Sequence, residues 1–240
     1  MTFRSALFVA HPGHELRLHH WLEVERPIVY VLTDGSGHGE RSRTDESREL
    51  LARCGATAGP IFGRFTDREL YAMLLRGEVA PIADTVRELA RELSEHGVQT
   101  VAGDAWELYN PAHDLCRVML DLAAGSIPNY EVAIVREAPG GDVTLTLDDE
   151  ALARKLAAAR AYQSMRAEAE GVLEREGVQA FRVETLRRAT RPRAPELVAD
   201  YELFGADRVA AGHYGTVIRY REHFAPFVAQ LAEVLQPAVA

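Results

Sequence analysis

Short, continuously apolar runs of strand length recur along this chain, and between them lie longer stretches with apolar residues at helical spacing. Ala6–Ala10 is the first run, followed by a helix over about Glu15–Glu25. Pro27–Thr33 reads as a second strand. The next helix, about Arg43–Cys54, is closed by Gly55, a residue suited to the left-handed position after a helix. Pro60–Phe62 is a short third strand, Thr66 can cap a helix starting at Asp67, and Ala80–His96 is a helix ended by Gly97. Val98–Ala102 is the fourth strand, another helix runs to Ala124, and Tyr130–Arg136 is the fifth strand. This alternation predicts an α/β fold whose parallel sheet is built by right-handed crossovers.

The texture changes after Arg136. Gly140-Gly141 suits a hairpin into Val143–Leu147, where Thr and Leu alternate as in an antiparallel strand covered on one face. Asp148 and Asp149 are good caps for a long helix over about Glu150–Glu176. Phe181–Leu186 is strand-like, Arg187–Pro195 is a basic loop containing proline, and Phe227–Leu235 is a terminal helix. The expected sheet is therefore mostly parallel, flanked by helices, with an antiparallel C-terminal extension. No repeat or linker divides the chain, so residues 1–240 read as one domain.

A net charge of −9 argues against a nucleic-acid partner, which needs basic surface to displace counterions. The longest apolar runs are too short to span a bilayer, and Met1-Thr2-Phe3-Arg4 has no signal-peptide layout. Cys54 and Cys116 read as buried small hydrophobes rather than a disulfide. The expectation is a cytoplasmic protein acting on a small molecule, with self-association left open.

The chemistry concentrates where strands end. His11-Pro12-Gly13-His14-Glu15 follows the first strand, and Asp104-Ala105-Trp106-Glu107-Leu108-Tyr109-Asn110-Pro111-Ala112-His113-Asp114 follows the fourth. Loops at the carboxyl ends of strands form the ligand crevice of open α/β sheets. Histidines in two such loops suggest a metal site with His11, His14 and His113 as ligands, since catalytic zinc keeps three protein ligands and one open position. His19 and His20 read as solvated helix residues and His96 as a helix-ending charge, while His213 and His223 stay open. Asp34-Gly35-Ser36-Gly37-His38-Gly39 lacks the spacing of a dinucleotide loop and reads as a substrate loop. The basic stretch Arg187–Arg193 suits a solvated loop or an anionic substrate group.

His11-Pro12-Gly13-His14-Glu15 resembles the His-Pro-Asp-Asp-Glu signature of PIG-L/LmbE-like N-deacetylases, and Asn110-Pro111-Ala112-His113 resembles their second signature, His-Pro-Asp-His. Arg43 and Glu46 with Cys54-Gly55 are similar to the family's Arg-x-x-Glu helix, and Tyr162-Gln163-Ser164 to its later Tyr-x-Ser helix. The resemblance implies a Rossmann-like fold and one divalent metal, usually zinc, that activates water to remove an N-acyl group from an amino sugar or related amine. It makes His11 and His113 ligands and places His14 where the family has an aspartate ligand. Two positions depart from it. Gly13 stands where the family has its general base, and Asn110 where it has a histidine. Glycine cannot accept a proton, and asparagine can only donate a hydrogen bond to a developing oxyanion. Candidates for a replacement base are Asp104 and Glu107 first, then Glu15, which also suits a helix dipole, and Asp34; Asp114 suits a histidine-orienting or capping role. Two rival readings remain: iron or another first-row redox metal at a three-histidine site, and a binding protein that has lost catalysis.

Overall fold

The computed structural model describes residues 4–37, 41–134, 140–190, 193–196, 198–212 and 215–236. Arg136, the expected end of the fifth strand, lies outside them, as do His38, Gly39, Arg191, Pro192, His213 and Tyr214.

Seven strands form one sheet: β1 (Arg4–Val9), β2 (Ile28–Thr33), β3 (Thr57–Phe65), β4 (Val98–Asp104), β5 (Asn129–Val132), β6 (Val143–Thr146) and β7 (Val183–Arg188), in the order β3-β2-β1-β4-β5-β7-β6. Strands β1 to β5 pair in parallel, whereas β7 pairs antiparallel with both β5 and β6. This is the mostly parallel α/β sheet with an antiparallel edge that the alternation predicts. Successive side chains of a strand point to opposite faces, so Ala6 and Phe8 enter one apolar cluster while Leu7 and Val9 enter the other. Helices α3 (Asp67–Arg76), α4 (Ala80–Glu95), α5 (Pro111–Ala124) and α9 (Ala225–Leu235) supply the first cluster. Helices α1 (His19–Glu25), α2 (Thr44–Cys54) and α6 (Asp149–Ala161) supply the second. Cys54 and Cys116 are both free and buried. Among the described residues no helix is long and apolar enough to cross a membrane.

Four features differ from expectation. Gly140-Gly141 does not turn β5 into β6, because β7 lies between them. Glu184 of β7 explains the insertion: it accepts from the His20 and Trp21 N–H groups, 2.8 Å each, and pairs with buried Lys155 at 2.9 Å, which ties β7 to α1 and α6. The long helix breaks at Tyr162, whose backbone is extended and whose ring is buried, and resumes as α7 (Arg166–Glu176). At the break the Ser164 N–H and Oγ bond Glu46 of α2, at 3.1 and 2.7 Å. An additional helix, α8 (Asp200–Ala210), follows the basic loop; only Tyr201 of it is buried, so it has no apolar stripe to read. Finally, His19 is buried rather than solvated, and burial lowers its pKa.

Candidate functional site

Along the sheet, β1 and β4 are the adjacent strands at which connections diverge to opposite sides, the place where a crevice opens at the strands' carboxyl ends. The chain leaves β1 through Ala10–Pro12, turns at Gly13 with φ 109°, and enters a short 3-10 helix, His14–Leu18. That turn lets His11 and His14 reach one point. His113 arrives from the other side, in the first turn of α5, which Asn110 caps by accepting from the Ala112 N–H at 2.9 Å. Ring centroids are 5.3 Å apart for His11 and His14, 5.1 Å for His11 and His113, and 4.5 Å for His14 and His113.

The surrounding hydrogen bonds set the rings' tautomers. Thr33 Oγ1 donates to the Ala10 carbonyl at 3.1 Å and so accepts from His11 Nδ1–H at 2.7 Å. His14 Nδ1–H lies 2.9 and 3.0 Å from the two oxygens of fully buried Asp104, which also accepts the Ala10 N–H at 2.8 Å. With Nδ1 of both rings engaged in this way, Nε2 is the edge left for a metal. Burial, then the neighbouring His14 and His11, pushes the His113 pKa well below the usual histidine range, and its Nδ1 is buried without a hydrogen-bond partner.

These residues suit a metal in donor chemistry. Tetrahedral zinc with Zn–N of ~2.0–2.1 Å would set imidazole centroids roughly 5 Å apart. The observed spacings bracket that value. Among the described residues, however, no three His, Cys, Asp or Glu side chains are arranged to hold a metal ion as they stand. The triad is a gathered set of imidazoles, not a closed cage.

A cleft of about 1090 Å³ opens beside the triad and reaches it through His11. Asp67, the first residue of α3, lines the cleft, with Oδ1 3.1 Å from His11 Nδ1 and Oδ2 2.6 Å from the Gly37 N–H. Burial alone would raise its pKa, but the His11 ring and the hydrogen bonds around it hold the carboxyl well below the usual range. Asn110 lines the cleft too, its Oδ1 accepting from Ala112 N–H and from Tyr71 OH at 3.1 Å, which leaves the amide NH2 as its unused end.

The carboxylates favoured as replacement bases do not face this cleft. Asp104 is committed to His14 and the backbone. Glu15 is fully buried, accepts from Ser47 Oγ and from the Gly13 N–H at 2.8 Å, and has its pKa raised by burial; it clamps the histidine turn to α2. Glu107 is buried and accepts the Ile134 N–H at 3.3 Å. Asp34 turns back onto Ser36. Asp114 orients no histidine: it holds the Glu107 and Leu108 N–H groups, fixing Leu108 at φ 56°. His223 lies away from the triad and accepts the Arg219 N–H, and Arg187 of the basic stretch pairs with Glu131. Thr33, Asp67 and Tyr71 carried no motif; only the strand and helix register brings them to His11 and Asn110.

No protein-family model and no curated protein sequence matches the chain. Solved structures do match. A conserved protein from Thermus thermophilus is similar with TM-score 0.51 at 15% identity, over 80% of this chain and 97% of that one. A deacetylase of the teicoplanin biosynthesis pathway gives 0.52 at 12%, over 88% and 94%. The A40926 pseudoaglycone deacetylase gives 0.50 at 17%, over 88% and 93%. At these identities the likeness is one of fold.

Proposed function

We propose that this chain is a metal-dependent amide hydrolase that removes an N-acyl group from an amino sugar or related small amine. The observation that carries the reading is the triad itself: three imidazoles with ring centroids 4.5 to 5.3 Å apart, two of them held at Nδ1 by Thr33 and Asp104. The fold supports it, since two solved structures that share it are deacetylases.

His11, His14 and His113 would hold the ion, with zinc the first choice for three nitrogen donors and iron or another first-row metal compatible with them. When bound, the ion polarises a carbonyl and makes water more acidic. The protein's own residues do the rest. Asp104 and Thr33 keep the first two rings in the ligating tautomer. The Asn110 NH2, aimed by Ala112 N–H and Tyr71 OH on the other end of its amide, donates to the substrate oxygen as negative charge builds there. Asp67, whose Oδ1 lies 3.1 Å from the Nδ1 edge of His11, joins Thr33 in holding that ring. As the C–N bond breaks, the proton given up by the attacking water passes to the departing amine, which leaves a free carboxylic acid and a free amine. Glu15 and Glu107 serve as supports for the two loops.

The test is a panel of N-acyl amino sugars and simple N-acyl amines incubated with zinc-loaded protein and assayed for free amine. Turnover is expected, with one zinc bound per chain and binding abolished in the His11→Ala, His14→Ala, His113→Ala triple variant. Asp67→Asn should lower zinc affinity by about 10–100-fold, the usual worth of an outer partner that orients a histidine ligand. Full zinc occupancy in the triple variant, or no amine from any substrate, would overturn the reading.

A further inference from the structure

The cleft is far larger than the reaction needs. Its volume of about 1090 Å³ lies at the top of the range of ~300–1,000 Å³ for pockets that enclose drug-sized ligands, so an acylated monosaccharide would fill only part of it. Its wall is continuous with the chemistry: Tyr109 precedes Asn110 in the chain, and both line the same cavity. Across from Tyr109 stands Phe204 of α8, with ring centroids 5.1 Å apart and planes at 66°. Phe204 is 45% exposed and Tyr109 half-buried, so two aromatic rings meet edge to face at a solvent-open cavity instead of being packed away. A folded chain gains little by leaving such surface wet. A flat ring laid against the pair would bury apolar area on both residues and extend the edge-to-face geometry that aromatic groups prefer.

Resting on the amide-hydrolase reading for the position of the scissile bond, we infer that the site selects N-acyl amines that carry an aromatic group beyond the amide, with Tyr109 and Phe204 as the specificity-determining contacts. The reacting end lies at His11 and Asn110, and the aromatic end lies between α8 and the loop that precedes α5. Neither ring has a part in the bond-breaking step; their work is selection.

The test compares the phenyl and methyl β-glycosides of N-acetylglucosamine, read by calorimetric binding to the zinc-loaded protein, with turnover followed separately. The phenyl glycoside is expected to bind at least tenfold more tightly than the methyl one. In the Tyr109→Ala, Phe204→Ala double variant that preference should fall to within twofold. Tyr109→Leu with Phe204→Leu, which keeps apolar bulk without a ring, should lose most of it and guards against misfolding of the alanine pair. Equal binding of the two glycosides, or a preference that survives in both double variants, would overturn the inference. So would tighter binding of N,N′-diacetylchitobiose than of the phenyl glycoside, which would make the wall a sugar platform. Because binding is read without hydrolysis, absent turnover counts against the proposed reaction and leaves this comparison decisive for the aromatic wall.

Discussion

Asp104 accepts from His14 Nδ1–H and from the Ala10 N–H without touching the cleft, so its replacement isolates orientation from chemistry. Asp104→Asn keeps the shape but presents an NH2 group to one of two donors. Removal of such a partner typically costs ~10–100-fold in metal affinity. Zinc affinity should fall by that factor in calorimetry, and an unchanged affinity would show that His14 needs no orienting carboxylate. Gly13 tests backbone rather than charge. It sits at φ 109°, and a Cβ there would meet Met165 Cγ at 2.9 Å. Gly13→Ala should therefore lose about 1–3 kcal/mol in thermal unfolding, the usual cost of a strained backbone residue. Gly13→Asp should lose at least as much, so it would not restore the base of the resembled signature. The three histidines were readable because motifs carry them. Asp104 was readable as chemistry but not as an orienter, since its contact with His14 joins residues 90 positions apart through the β1–β4 register.

Helix–helix contacts carry the pH dependence that elements contribute. Glu23 of α1 accepts from Arg154 of α6 at 2.7 and 3.0 Å, and that bond first, with the His20 bond and nearby charges, brings its pKa down to about 2 from 4.5 against the opposing effect of burial. A depressed folded pKa means stability present above about pH 4.5 and lost as pH falls through about 2. Glu23→Gln should flatten the acid limb of a plot of Tm against pH between those values, while at neutral pH it costs under about 1 kcal/mol because Arg154 is half exposed. An acid limb identical to that of the unmodified protein would exclude the pair as its source. The same contacts decided which elements were legible. Strands β1, β2 and β4 are buried on both faces and announced themselves as apolar runs. The break at Tyr162 depends on Glu46 reaching Ser164 from another helix, and α8 buries too little to leave a periodic signal.

At the scale of the whole molecule the triad joins the first strand to the fifth helix, so an unfolded chain cannot present it as a unit. Ligand binding to the folded state alone stabilises by RT ln(1 + [L]/Kd), about 2.7 kcal/mol at a hundredfold excess over Kd. Saturating zinc should therefore raise Tm by several degrees, and a chelator should reverse the rise. A Tm indifferent to zinc would mean that no site spans the sheet. The mostly parallel sheet and its antiparallel edge were legible from the alternation of strands and helices, whereas the placement of β7 was not, because it rests on Glu184 binding the start of α1. The histidine triad hangs from the end of β1 and the start of α5, while Phe204 belongs to α8, a helix that contributes one buried residue to the core. If the proposed reaction and the proposed aromatic selection hold, selection can drift while the reaction stays fixed: the exposed surface of α8 can be rewritten residue by residue, and a lineage built on this frame would diversify in what it recognises long before it changed what it does.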